Sequence, residues 1–191
     1  MKTVSTMPEN PAARTDEVVI LRGRLPARTL RRLDIQGFDT VDDTVLAGVG
    51  RWRRLAFILC ASIAAAGTAL ASPVILLVLA PIAAIAAASP VHPFDLIYNH
   101  GVRYLTGTEP LPKRGPPSRF ACGVGALWLV ATAWAFSAGH ATVGYALGAL
   151  LSSVALLVAT TDICVPSMIF RKIFGPPRPR GLDPAGATPV D

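Results

Sequence analysis

The chain has 191 residues, 52% of them apolar, with 18 Lys and Arg against 12 Asp and Glu and a formal net charge of +6. Its mean hydropathy of +0.49 is too high for an ordinary soluble domain, and its length is too short for two large ones. No Lys or Arg falls between Leu55 and Ala88 or between Phe120 and Phe170. Such gaps mark membrane spans and argue against a soluble basic protein that binds nucleic acid. Three cysteines, mostly inside apolar runs, argue against a secreted disulfide framework.

Taken in order, residues 1–17 are polar and without hydrophobic period, which predicts a disordered tail and no secretory signal. Residues 18–50 form an N-terminal segment expected in the cytoplasm. Within it, Val18–Leu21 has short-strand character. Pro26–Leu33 fits a basic amphipathic helix with Leu30 and Leu33 on one face, suited either to an anionic membrane surface or to a solvated linker. Asp39 is a candidate cap, and Asp42 and Asp43 suit the positive end of a helix carrying Val45, Leu46 and Val49. Arg51, Trp52, Arg53 and Arg54 read as an interfacial collar whose charges reach for headgroups.

The membrane domain is expected over residues 51–174, with spans at about 55–71, 74–91, 120–138 and 141–165 and a loop at 92–119. Pro81 interrupts the second span, which is short against the roughly 20 residues a bilayer core needs. Pro166 stops the fourth. The fold class is therefore all-α: a polytopic membrane protein of four transmembrane helices in two hairpins, with a cytoplasmic interfacial helix between them and a disordered tail at 175–191. The turns at 71–73 and 137–140 carry no Lys or Arg. The other side collects Arg51, Arg53, Arg54, Arg103, Lys113, Arg114, Arg119, Arg171, Lys172, Arg178 and Arg180, which puts both termini and the long loop in the cytoplasm. Small residues at Gly144, Gly148 and Ser152, and at Cys60, Ala64 and Thr68, form stripes that permit close helix packing. The first stripe is also a candidate homo-oligomer contact.

Two places carry candidate chemistry. In the loop, His92, Asp95, Asn99 and Arg103 fall on one helical face, opposite Phe94, Ile97, Tyr98, Val102 and Leu105. The pattern permits a His–carboxylate pair for a metal or for proton transfer, and equally an anchor holding the loop to the bundle. At the end of the fourth span, Asp162 and Cys164 place a carboxylate and a thiol at the cytoplasmic margin, with Arg171 or Arg103 as counter-charges. Cys122 is expected at the same depth as Cys164, so the two could cycle between dithiol and disulfide or serve as small packing residues. Cys60 lies deeper. Neither a resident metal nor a cofactor is predicted.

Five blocks carry a resemblance: Gln36-Gly-Phe, Val41-Asp-Asp, His92-Pro-Phe-Asp-Leu-Ile-Tyr-Asn-His-Gly101, Arg119-Phe-Ala, and Asp162-Ile-Cys-Val-Pro-Ser-Met-Ile-Phe170. Together they resemble the bacterial domain-of-unknown-function family 4395, over roughly residues 33–174. The resemblance implies about four membrane helices and no settled activity. It also implies a Cys-x-x-Cys followed by an aromatic in many relatives; the matching positions here are Cys164, Ser167 and Phe170, so the second sulfur is absent unless Cys122 supplies it.

The leading expectation is a non-enzymatic scaffold or interaction protein of the bacterial cytoplasmic membrane. It would meet lipid or a cytoplasmic protein partner through a face built from Phe94–Arg103 and Asp162–Phe170. One rival is a thiol redox component using Cys164 with Cys122, and with Asp162 or His92 moving protons. The other is a small-solute carrier or carrier subunit, which needs a polar cavity at mid-bilayer depth.

Overall fold

The computed structural model describes residues 25–177. The expectations for residues 1–17, for Val18–Leu21 and for nearly all of 175–191 lie outside them. Among the described residues every regular element is helical and no strand occurs. We number the α-helices α1 Ala27–Ile35, α2 Asp43–Gly48, α3 Leu55–Ala69, α4 Pro73–Ala88, α5 Pro93–Ile97, α6 Arg103–Thr106, α7 Pro116–Ser137, α8 Ala141–Thr161 and α9 Val165–Phe174.

α3, α4, α7 and α8 pack as two hairpins into one bundle, with α4 against α7 and α3 against α8. The interior is made of Ala64, Leu76, Leu79, Ala80, Leu129 and their neighbours, all buried. Small residues allow the approach. A Cβ placed on Gly148 would meet Thr68 Oγ1 at 2.1 Å, and one on Gly144 would meet the Phe136 ring at 2.6 Å. Gly148 of one stripe thus meets Thr68 of the other, Gly144 packs on Phe136 of α7, and both glycines are covered by the chain's own side chains.

α7 and α8 are long and apolar enough to cross a membrane. A third candidate arises if α4 and the segment Pro93–Thr106, bent from it by 85°, count as one broken span. α3 has 15 residues and α4 has 16, below the length that a full bilayer core needs. α4 runs through Pro81 without interruption; the bend comes later, at Ser89–His92, where Ser89 and His92 adopt extended backbone.

The cytoplasm-directed expectations for the ends change in three respects. The basic helix α1 is not a solvated linker but packs on the rest of the chain. Leu33 is fully buried with Phe38 and Leu46, and Arg32 Nη1 donates to the Thr161 carbonyl at 2.7 Å. The segment is seated by a close approach of backbones at Gly37 and Gly115, where a Cβ on Gly115 would lie 2.4 Å from Gly37 O. The cap of α2 is Asp42, which accepts from Thr44 N at 2.8 Å; Asp39 instead accepts from Arg171 at 3.3 Å. Pro166 does not simply stop α8: it sits in the first turn of α9, a position whose missing N–H costs nothing.

Candidate functional site

The bundle end next to α1 is held by two buried ion pairs. Asp162 has left-handed backbone (φ +57°), which ends α8 and turns its carboxylate inward. Arg53 Nη2 donates to Asp162 Oδ1 at 2.9 Å and Arg54 to Oδ2, while Gln36 Nε2 donates to the Asp162 carbonyl at 2.8 Å. Arg53 is 4% exposed, and its burial pulls the guanidinium below its ordinary pKa against the pull of Asp162. The expected collar is therefore corrected. Arg53 and Arg54 serve the Asp162 carboxylate rather than headgroups, and neither Arg171 nor Arg103 does. Arg171 goes to Asp39 and to the Asp34 and Ile35 carbonyls, and Arg103 stacks on Tyr104.

The second pair is Asp95 with Arg114. Arg114 Nε and Nη2 donate to the two carboxylate oxygens at 2.8 and 3.0 Å, both side chains are buried, and the guanidinium lies 4.9 Å from the Phe57 ring centroid. Burial lowers the Arg114 pKa, but Asp95, with Cys122 and Cys60 in range, outweighs it and holds the group above its ordinary value. Asn99 Oδ1 accepts from Leu111 N at 2.9 Å. Between these residues the helix opens into one π turn, Tyr98–Val102, which seats Tyr98 in the interior against Trp52. Asp95 and Asn99 thus tie residues 92–119 to one another, while Arg114 over Phe57 and Arg119 on the Ala87 and Ala88 carbonyls hold the segment to the bundle; Arg103 and His100 stay outside these contacts.

His92 does not pair with Asp95. Its Nδ1 accepts from Phe94 N at 3.2 Å as the cap of α5, so the neutral ring carries its proton on Nε2. Nε2 lies 3.9 Å from Cys60 Sγ. Burial, helped by Arg114 and opposed by Asp95, takes the His92 pKa down to about 4, which keeps the ring neutral.

His92 and all three cysteines line one cavity of about 130 Å³. Cys60 comes from α3, Cys122 from the first half of α7, and Cys164 from the cap of α9. All three thiols are free, and Cys122 lies within electrostatic range of both Cys60 and Cys164. The Ser167 hydroxyl is 3.1 Å from Cys164 Sγ and equally near the Pro117 carbonyl, with no exposure to solvent. Cys164 lies beyond the last residue of α8; burial pushes its thiol up, and the Ser167 hydrogen bonds and Arg114 work the other way. The rest of the lining is apolar, including Phe57, Leu79, Trp128, Leu129 and Val158. Its floor on α3 and α4 is buried at Ala64, Leu79 and Ala83. Phe57 and Cys60 on α3, Gly125 and Trp128 on α7, and Val154 and Ala155 on α8 are only half-buried.

The sequence pointed to Cys122 and Cys164 but left Cys60 deeper and apart, and it gave Arg114 no role beyond its charge. Asp162 and Cys164, adjacent in the sequence motif, diverge: the carboxylate enters the arginine cluster and the thiol enters the cavity. Among the described residues no group of three or more His, Cys, Asp and Glu is placed to hold a metal ion.

Neither the curated proteins nor the solved structures gave a match to this chain. A family model described as a domain of unknown function, DUF4395, matches residues 51–174. That stretch runs from the arginine cluster to the last residue of α9 and holds every cavity-lining side chain. Covering well over half of the sequence, it makes the chain a member of the DUF4395 family.

Proposed function

We propose that this chain is a four-helix protein of the bacterial cytoplasmic membrane whose work is thiol redox chemistry in the cavity. α3 and α4 would cross with α7 and α8 because they share one bundle, the short pair being accommodated by local thinning of the bilayer. The arginines and lysines gathered at one end of the bundle support cytoplasmic termini and a cytoplasmic 92–119 loop, with Pro93–Thr106 along the interface. Exposed Leu96, Ile97, Tyr104 and Leu105 there, and Ile169, Ile173 and Phe174 on α9, suit an acyl–headgroup boundary.

The observation that carries the redox reading is the convergence of Cys60, Cys122 and Cys164 on one cavity. Packing alone does not require every thiol of a 191-residue chain to share a single surface. The scaffold reading loses ground because the polar atoms of its face are spent inside the chain: Asp95 on Arg114, Asn99 on Leu111 and Asp162 on Arg53 and Arg54. The carrier reading needs polar lining, and the cavity offers thiols and one imidazole among apolar side chains.

Cys122 and Cys164 are the working pair. Cys60 is engaged by His92 Nε2–H, whereas Cys164 stands at the N-cap position of α9 with only the Ser167 hydroxyl at its sulfur. Two thiols become one disulfide and release two electrons and two protons to an acceptor that reaches the cavity. The test is alkylation of the three cysteines in native membranes before and after diamide oxidation, read by mass spectrometry. Joint loss of labelling at Cys122 and Cys164, reversed by reductant, supports the reading. Labelling unchanged by oxidation overturns it.

A further inference from the structure

We infer that the acceptor is a quinone, bound through its ring in the cavity that the three cysteines line; this deepens the redox reading and rests on it. Size points to one ring. A cavity of about 130 Å³ is close to the ~150 Å³ apolar cavity that takes up benzene. Gly125, Trp128, Val154 and Ala155, on the two helices best suited to cross a membrane, contribute half-buried lining to it. The lining, apolar but for the thiols and one imidazole, suits a ligand that partitions from hydrocarbon. Phe57 and Trp128 offer aromatic faces.

Charge balance narrows the class further. In an apolar site an uncompensated charge is costly. A dithiol gives up two electrons together with two protons, and a quinone takes up both, so cavity and ligand stay neutral throughout. A one-electron acceptor would leave a thiyl radical, and an anionic oxidant would bring its charge into the apolar lining.

The step balances as follows. Cys164 sulfur adds to a ring carbon, forming an S–C bond and moving a ring electron pair onto one quinone oxygen. Cys122 sulfur then attacks Cys164 sulfur. The S–S bond forms, the S–C bond breaks, and its electron pair stays on the ring, making it the aromatic quinol. The two thiol protons end on the two oxygens. Arg114, fixed by Asp95 behind Phe57, supplies positive potential during the transfer, and neutral His92 keeps Cys60 out of it.

The probe is duroquinone, whose four methyl groups leave no open ring position for lasting addition of a thiol. The reduced full-length protein in lipid nanodiscs is mixed with it without oxygen, and quinol yield is followed beside peptide mapping of the cysteines. One quinol per protein, with Cys122 and Cys164 joined, is expected. Durene, the same ring without oxygens, should compete and slow the reaction roughly tenfold at saturating excess. Gly125→Leu should do the same, because a side chain built at Gly125 meets no neighbour within 4 Å and grows into open space. Quinol formation that neither durene nor Gly125→Leu slows overturns the cavity as its site. A Cys122–Cys164 disulfide that forms with diamide but not with duroquinone overturns the quinone and leaves the redox reading standing. No disulfide with either oxidant overturns both.

Discussion

Asp162 shows how one carboxylate organises an end of the bundle. It accepts from Arg53 and Arg54 while its own carbonyl receives Gln36, so three segments meet at one residue. Removing the carboxylate strands a guanidinium that is 4% exposed. Asp162→Ala should lower stability by about 3–5 kcal/mol, and Arg53→Met with Asp162→Leu should recover much of it; thermal unfolding in detergent reads both. His92 gives a pH dependence. Its folded pKa of about 4 lies below the unfolded 6.5, so between these values the unfolded chain binds more protons and stability rises with pH. The contribution is present above pH 6.5 and lost as pH falls to about 4, amounting to roughly 3 kcal/mol at most. His92→Gln should flatten the pH–stability curve in that window. Neither partner was legible in the sequence. Arg53 and Asp162 lie 109 residues apart, and no local spacing encodes a contact of that range; His92 was paired with Asp95 on helical periodicity, but its imidazole turned to cap α5.

At the scale of elements, the bundle depends on small residues at the α3–α8 seam. Gly148→Ala should cost about 1–3 kcal/mol, because its Cβ would sit against Thr68 side-chain atoms at 2.1–2.8 Å. Adding Thr68→Ala should return part of the loss, and a double-mutant cycle measures the coupling. The helix positions themselves were well marked. The charge-free gaps and the tight turns at 71–73 and 137–140 delimit α3, α4, α7 and α8 to within a few residues. α9 was not, since Pro166 carries the same letter whether it ends one helix or opens the next. The N-terminal segment was misjudged for a related reason. An apolar stripe with Leu30 and Leu33 reports that a face is covered, not whether lipid or Phe38 and Leu46 covers it.

For the whole molecule, the proposed orientation makes a direct prediction. In a chain whose native cysteines are replaced by alanine, Ser72→Cys and Gly139→Cys should react with an impermeant maleimide from outside intact cells. Lys113→Cys should react only after permeabilisation. Reversed labelling would mean that the basic end faces outward. The architecture also explains why the candidate site was only half visible. The sequence put Cys122 and Cys164 at one depth through their places at the ends of spans, but a shared cavity depends on how four helices close around it. Cys60 looked buried in the first hairpin; the α4–α7 and α3–α8 contacts bring its sulfur to the same space.

The measurement that bears most directly on this account uses the three variants that each keep two cysteines, made by Cys60→Ala, Cys122→Ala and Cys164→Ala. Each is oxidised with diamide in native membranes and mapped for its disulfide. The account predicts that the chain keeping Cys122 and Cys164 closes fastest and reversibly, and that the chain keeping Cys60 and Cys164 closes least. No disulfide between Cys122 and Cys164 under conditions that oxidise an exposed control dithiol would contradict it.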